Sequence, residues 1–229
     1  MDQNVSNIYS FVKKNVYVRQ RPKRTYFSKK IEFESKFNVR KKFYLTVFEN
    51  IINNKKFDPY KYNKRSEIHE VYSITKNYFS ILMFAYFNKS DLWIKEKSKN
   101  FNVIYTEDNI PILQRKERIF NPTNKNYQQK IKLIRTHGTI IGKFRKFSLD
   151  LYFTYKKFDF TLTYNIINIG KKRFDQFELE FNAKLGNKKP TINEITNIMH
   201  QVINIIFPNN IATPTIERKV DWLIRKDAY

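Results

Sequence analysis

Ile31-Glu32-Phe33-Glu34-Ser35-Lys36-Phe37 near the front of the chain, and Gln176-Phe177-Glu178-Leu179-Glu180-Phe181 near the back, decide how this sequence reads. Each segment sets two glutamates at i and i+2 between apolar residues. A strand has a side-chain period of two, so the glutamates of each pair point to one side. Glu32 and Glu34 share their side with Lys36, while Ile31, Phe33, Ser35 and Phe37 face the other way. Glu178 and Glu180 share theirs with Gln176. Two such strands side by side would crowd four negative charges, which is unfavourable unless a divalent cation or basic groups lie among them. Alternating glutamates on a solvated strand are common, so either pair alone says little.

The surrounding composition supplies the basic groups. The chain has 229 residues, with 44 Lys+Arg against 21 Asp+Glu and a formal net charge of +23. Such charge suggests a polyanionic partner, most often nucleic acid. The chain is also rich in Lys, Asn, Ile, Tyr and Phe, as AT-rich coding produces, and part of the lysine excess is expected from that bias. Hydrophobic residues make up 41%, with 21 Phe and 15 Tyr, enough for a packed core. There is no cysteine, which excludes disulfides and thiolate metal sites. No apolar run reaches the ~20 residues of a membrane span, and residues 1–17 lack the apolar block of a secretory signal, so an intracellular protein without membrane partners is expected.

Residues 1–28 read as a basic N-terminal extension: a short helix over 4–17, then a basic turn around Pro22. Residues 29–229 read as one domain. Alternation predicts a strand over 30–37, apolar spacing a helix over 39–53, and polarity a loop over 55–65. Short strands follow at 68–75, 78–87 and 92–97, with a hairpin turn at Asn88-Lys89-Ser90-Asp91. A second hairpin joins 103–105 to 110–120. Further strands are predicted at 130–136, 139–148, 149–155, 158–167 and 174–184. Thr191 and Glu194 form a capping-box pattern opening a helix over 191–207, which Pro208 ends. Residues 215–226 are open between strand and helix. Many short strands predict an antiparallel sheet closing into a barrel, within an α+β fold with flanking helices.

The strands between the acidic pairs carry alternating basic residues: Arg115 or Lys116 with Arg118, Lys130 with Lys132, and Lys143 with Arg145. Asp159 and Thr161 make one more polar i, i+2 pair. Hard carboxylate oxygens suit Mg²⁺ or Mn²⁺, and clustered Lys and Arg suit phosphate oxygens. Together they point to cleavage of phosphoanhydrides. His69, His137 and His200 have no metal-ligand spacing and read as structural. The four glycines form no phosphate-cradling loop, and Trp93 and Trp222 read as packing anchors.

The ordered set resembles the RNA 5′-triphosphatases of fungal, protozoal and viral mRNA capping, within the triphosphate tunnel metalloenzyme superfamily. Ile31 to Phe37 is similar to that family's first Glu-x-Glu motif. Lys143-Phe144-Arg145 with Ser148 is similar to its Lys-x-Arg strand, Asp159-Phe160-Thr161 to its Asp-Leu-Thr strand, and Glu178-Leu179-Glu180 to its final acidic motif. The islands span roughly residues 29–182. The resemblance implies an eight-stranded antiparallel tunnel that removes the γ-phosphate from the 5′ end of nascent RNA. In its terms Glu32, Glu34, Glu178 and Glu180 hold Mn²⁺ or Mg²⁺, and Lys143 and Arg145 contact phosphate and serve catalysis with the glutamates. Lys116, Arg118, Asp159 and Thr161 are then wall groups for the substrate. A separate mRNA guanylyltransferase is the implied partner, a homodimer is allowed, and the implied location is the nucleus, or the cytoplasm for a cytoplasmic virus or plasmid. Gln176 stands where the family often has a third glutamate, and residues 130–138 lack the acidic residue expected before the Lys-x-Arg strand: either the alignment slips there, or Glu117 or another group substitutes, or the activity is weakened. Two alternatives stay open: the same tunnel acting on free nucleotides or inorganic polyphosphate, and a non-catalytic basic protein that binds RNA or DNA.

Overall fold

The computed structural model describes residues 3–20, 24–25, 31–84, 92–186, 188–208 and 210–225. Its strands are β1 (Arg24–Thr25), β2 (Ile31–Val39), β3 (Phe57–Ile74), β4 (Asn77–Phe84), β5 (Leu92–Ser98), β6 (Asn102–Tyr105), β7 (Pro111–Phe120), β8 (Thr139–Tyr155), β9 (Phe158–Ile169), β10 (Lys172–Leu185) and β11 (Ala212–Thr215). Its helices are α1 (Gln3–Asn15), α2 (Tyr44–Ile52), α3 (Tyr127–His137), α4 (Ile192–Ile206) and α5 (Lys219–Ile224). Eight strands follow one another as β2-β10-β9-β8-β3-β4-β5-β7, and β7 pairs back onto β2, closing an antiparallel ring. β1, β6 and β11 add to the edges of β10, β7 and β2.

Alternation along the ring strands divides inside from outside. Phe33 and Phe37 of β2, Leu149, Leu151 and Phe153 of β8, Phe160 and Leu162 of β9, and Phe177, Leu179 and Phe181 of β10 pack outward into the main core with α1, α2 and α4. The even residues of β2 and β10 and the odd residues of β9 face the lumen. On β2, β9, β10 and the later part of β8, one face is therefore buried against helices and the other lines a polar interior, so both are out of bulk water. The capping box at α4 is formed as its sequence predicts: Glu194 N donates to Thr191 Oγ1 and Thr191 N to Glu194 Oε2.

Four expectations change. Residues 55–65 are not a loop, because β3 runs for 18 residues from Phe57. Its polar start is half-exposed strand, with Arg65 turned into the lumen, so polarity there marks a lining and not a connection. Residues 130–136 are helical in α3, whose Tyr127 and Ile134 dock on Phe79, Ile81 and Ile94 of the outer sheet. Residues 139–155 form one continuous strand instead of two. The helical part of 1–28 is no appendage, since Val5, Ile8, Val12 and Val16 are buried in the main core. The expected turn at residues 88–91 lies outside the described residues, as do residues 21–23 of the basic turn around Pro22. The open C-terminal stretch contains α5.

Candidate active site

β2 and β10 lie side by side with Glu34 directly across from Glu180 and Lys36 directly across from Glu178. Their polar side chains enter a cavity of about 130 Å³ enclosed by the ring. This is the juxtaposition on which the acidic reading depends, and the two doublets meet in one lumen. Around them the wall is cationic. Arg115 of β7 donates from Nε to Glu32 at 2.6 Å and from a terminal nitrogen to Glu34 at 2.5 Å. Lys97 of β5 reaches Glu32 at 3.1 Å, and Lys36 lies 3.2 Å from Glu34 and 3.7 Å from Glu178. Glu178 also accepts from Lys219 at 2.5 Å and from Asn165 Nδ2 at 2.7 Å.

Burial and charge set the protonation states. Burial alone would raise Glu32 and Glu178, but Arg115 and Lys97 hold the first, and Lys219 and Lys36 the second, well below the ordinary carboxylate range. Lys36, enclosed in the sheet, falls to about 8 because burial outweighs the pull of Glu34. Glu180 is the opposite case. Burial first, then the charges of Glu32 and Glu117, push its carboxyl up to about 8. The charge of Lys95 offsets only part of this, and among the described residues no salt bridge or side-chain hydrogen bond to Glu180 forms.

A second buried network continues along the lumen on β3 and β8. Glu67 accepts from Lys146 at 2.6 Å and lies 2.9 Å from His69 Nε2, and Arg65 joins it to Asp150. Burial lowers Lys146 to about 8 and His69 to about 3, so the imidazole is neutral at pH 7 and stacks on Phe144 at 4.4 Å. The end of the lumen near α5 is closed: Trp222 and Leu223 pack on Val71, Phe144, Ile167 and Ile169. Gly142 permits this approach, since a Cβ there would meet the Leu223 side chain at 3.2 Å.

The expected site residues divide by this geometry. Glu32, Glu34, Glu178 and Glu180 converge, and Asp159 and Thr161 share the lumen face of β9. Asp159 accepts from the Tyr60 hydroxyl at 2.7 Å, and Thr161, across from Glu180, accepts from Asn182 at 2.8 Å. Gln176 is buried on the same face and donates to the Glu217 carbonyl. Lys143 and Arg145 do not enter. Both are exposed on the outer face of β8, and Lys143 pairs with Glu70 at 2.8 Å. Even-numbered residues of β8 face inward at this height, so Phe144 and Lys146 occupy the lumen. Lys116 and Arg118 likewise face outward, while Arg115 and Glu117 of β7 take the inward parity. Sequence reasoning missed Arg65, Glu67, Lys97, Lys146 and Lys219. The i, i+2 pair Lys95 and Lys97 was a usable signal, as was Arg115, whose parity the sequence leaves open against Lys116.

The donor set is all oxygen, which suits Mg²⁺ or Mn²⁺. Among the described residues, however, no three acidic or histidine side chains converge as a metal cage, and Glu32, Glu34 and Glu178 already accept from cations. Glu180 is the carboxylate left over, crowded by like charge. Glu34 and Glu180, facing each other across β2 and β10, are the pair of oxygen donors that the register sets nearest to one another there.

No protein-family model and no curated protein matches the sequence. Among solved structures, the PH1819 protein from Pyrococcus horikoshii OT3 superposes with a TM-score of 0.52 at 14% identity, covering 85% of this chain and 99% of that one. The Pct1 RNA triphosphatase of S. pombe, solved in complex with the Spt5 CTD, aligns with a TM-score of 0.35 at 8% identity, over 80% of this chain and 79% of that one. The first likeness establishes a shared tunnel fold and says nothing of substrate; the second is too remote to bear on either. The class defined by fold and site is thus an antiparallel tunnel protein with an acidic floor and a basic wall.

Proposed function

We propose that the chain hydrolyses the terminal phosphoanhydride of a linear triphosphate held in the tunnel, with free nucleoside triphosphate or inorganic tripolyphosphate as the substrate class. The observation that carries this reading is the pairing of Glu34 with Glu180 and Lys36 with Glu178 inside a wall of Arg115, Lys97, Arg65 and Lys146. Triphosphate oxygens replace carboxylates as partners of those cations, which offset charge developing on the leaving phosphate. Glu34 and Glu180 would hold a divalent cation that accompanies the substrate, and that ion would supply further charge neutralisation. Glu117, salt-bridged to Lys97 at 2.6 Å, is the inward carboxylate of β7 and would orient the attacking water. Phosphate release from tripolyphosphate, ATP and triphosphate-ended RNA, with and without Mg²⁺ or Mn²⁺, tests the reading. Release that needs the cation and is lost in Glu180→Gln supports it, and no release from any of the three rejects it.

A narrower reading, removal of the γ-phosphate from nascent RNA ahead of a separate guanylyltransferase, is favoured by the +23 charge and by the order of the acidic motifs. The Lys143-Phe144-Arg145 segment that contributes to that resemblance faces out of the tunnel, which removes part of its support. An RNA substrate preferred over ATP and tripolyphosphate by kcat/KM would establish it.

A further inference from the structure

The basic residues that miss the lumen are not scattered. β8, β3, β4, β5 and β7 are consecutive neighbours, and α3 crosses the outer surface of β3, β4 and β5. Its first turn sits over β5, where the Tyr127 hydroxyl donates to the Leu92 carbonyl. Its last turn sits over β3, where Gly138 lies against the Tyr72 side chain. Eleven helical residues span roughly 16 Å, and β3 to β5 about 10 Å, so the helix bridges the three central strands of the panel. Arg118 pairs in register with Glu96, which lies 3.4 Å from Lys130 at the helix start. Lys143 pairs in register with Glu70 near the helix end, and the Glu70 carboxyl is held below its ordinary value by the hydrogen bond from Lys143, with Tyr72 and Arg135 adding to it.

At one height of the barrel, Lys116, Arg118, Lys132, Arg135, Lys143 and Arg145 are therefore exposed around a helix that carries no acidic residue. Both acidic residues in the band, Glu70 and Glu96, are neutralised by lysines. Among the described residues Lys116, Arg118, Lys132 and Arg145 form no salt bridge with an acidic residue, and Arg135 acts on Glu70, which Lys143 already pairs. The unpaired like charges on one panel repel each other, and phosphodiesters spaced along a flexible strand relieve that repulsion.

We propose that this outer band binds the backbone of single-stranded RNA whose 5′-triphosphate end enters the tunnel. The inference rests on the narrower reading, in which the tunnel takes triphosphate-ended RNA, and adds the substrate's body to it. A duplex is excluded from the role because its end cannot thread a ring of eight strands lined by side chains, whereas a single strand bends over the convex panel. Exposed Leu133 and Ile140 give bases an apolar surface beside the cations.

The test uses the full chain and its Lys132→Glu/Arg135→Glu variant, neither residue being in the tunnel. A 20-nucleotide RNA with a 5′-hydroxyl end reports on the band alone. The variant is expected to bind it at least tenfold more weakly at 0.1 M salt. Its log K against log salt slope should flatten by about 1 to 2, as loss of two phosphate contacts requires for a single strand. Tripolyphosphate hydrolysis should stay unchanged, showing an intact fold and tunnel, and KM for triphosphate-ended RNA should rise. Equal RNA binding by both proteins overturns the proposal while leaving the tunnel reading standing. Binding of phosphatidylserine vesicles that is lost in the variant while RNA binding persists also overturns it, in favour of a membrane surface. RNA binding lost as expected, with no hydrolysis of any triphosphate, upholds the band and rejects the tunnel reading.

Discussion

Replacing Glu180 by glutamine should stabilise the protein while abolishing its chemistry. The Glu180 carboxyl titrates at about 8 in the folded chain, against 4.5 for the free group, because of burial and the charges of Glu32 and Glu117. Below pH 4.5 the group is protonated in both states and contributes no penalty. Between 4.5 and 8 the unfolded chain releases the proton and the folded chain keeps it, so stability falls with rising pH; above 8 the loss is complete. The interval is 8 − 4.5 = 3.5 units, and at ~1.4 kcal/mol per unit the limiting loss is about 5 kcal/mol. The Glu180→Gln substitution removes this loss, and groups that titrate in both proteins cancel in the difference. At ~2–4 °C per kcal/mol for a chain of this size, the variant should melt on the order of 10 °C higher at pH 8 and equally at pH 4.5. Circular-dichroism melts of both proteins at pH 4.5, 6, 7, 8 and 9, without divalent cation, measure it. A difference in Tm that does not grow between pH 4.5 and 8 would refute the like-charge crowding of the floor.

Lys146→Ala should lower phosphate release from tripolyphosphate by about 100-fold, the loss typical of one preorganised charge-stabilising group. Lys143→Ala and Arg145→Ala should leave it within about twofold, and the reverse pattern would restore the parity read from sequence. Lys36 titrates at about 8 against 10.5 when free, so its buried charge opposes folding on balance, and Lys36→Met should raise stability at pH 7 by up to about 3 kcal/mol, read by urea unfolding, with Arg115 and Lys219 still pairing Glu34 and Glu178. His69 is held neutral, titrating at about 3 against 6.5 when free. The unfolded chain thus binds its proton first, and stability should fall as pH drops from 6.5 towards 3; His69→Gln should lose stability less steeply over that window, by acid titration of ellipticity.

What the sequence disclosed follows the physics of alternation. Glu32-x-Glu34 and Glu178-x-Glu180 were legible because apolar residues on the opposite parity fix which side is buried. Thr191 and Glu194 were legible because a capping box is local. The β8 wall was not. Lys143, Arg145 and Lys146 place cations on both parities, and the pairing register shifts between Val71 and Tyr72, where β8 steps from Gly142 to Ile140. A strand whose inner face is charged and whose outer face is solvated carries no hydrophobic label for its inside. The same ambiguity hid Arg65, read as part of a polar loop, and α3, where Lys130-Ile131-Lys132 alternates like a strand although Tyr127 and Ile134 supply the helical face. Lys219 was out of reach because only docking of α5 brings it to Glu178.

The most direct test of the account is a cross-link between the two acidic strands. The chain has no cysteine, so Glu34→Cys/Glu180→Cys introduces the only two thiols. Directly opposed residues of an antiparallel pair lie ~4.5–5.5 Å apart at Cα, within disulfide range. Mild oxidation of the folded protein at micromolar concentration should close one intramolecular disulfide, seen as a mass loss of two hydrogens and a pair of peptides linked through positions 34 and 180. Two free thiols after oxidation, or only intermolecular dimers, would contradict the meeting of these strands inside the tunnel.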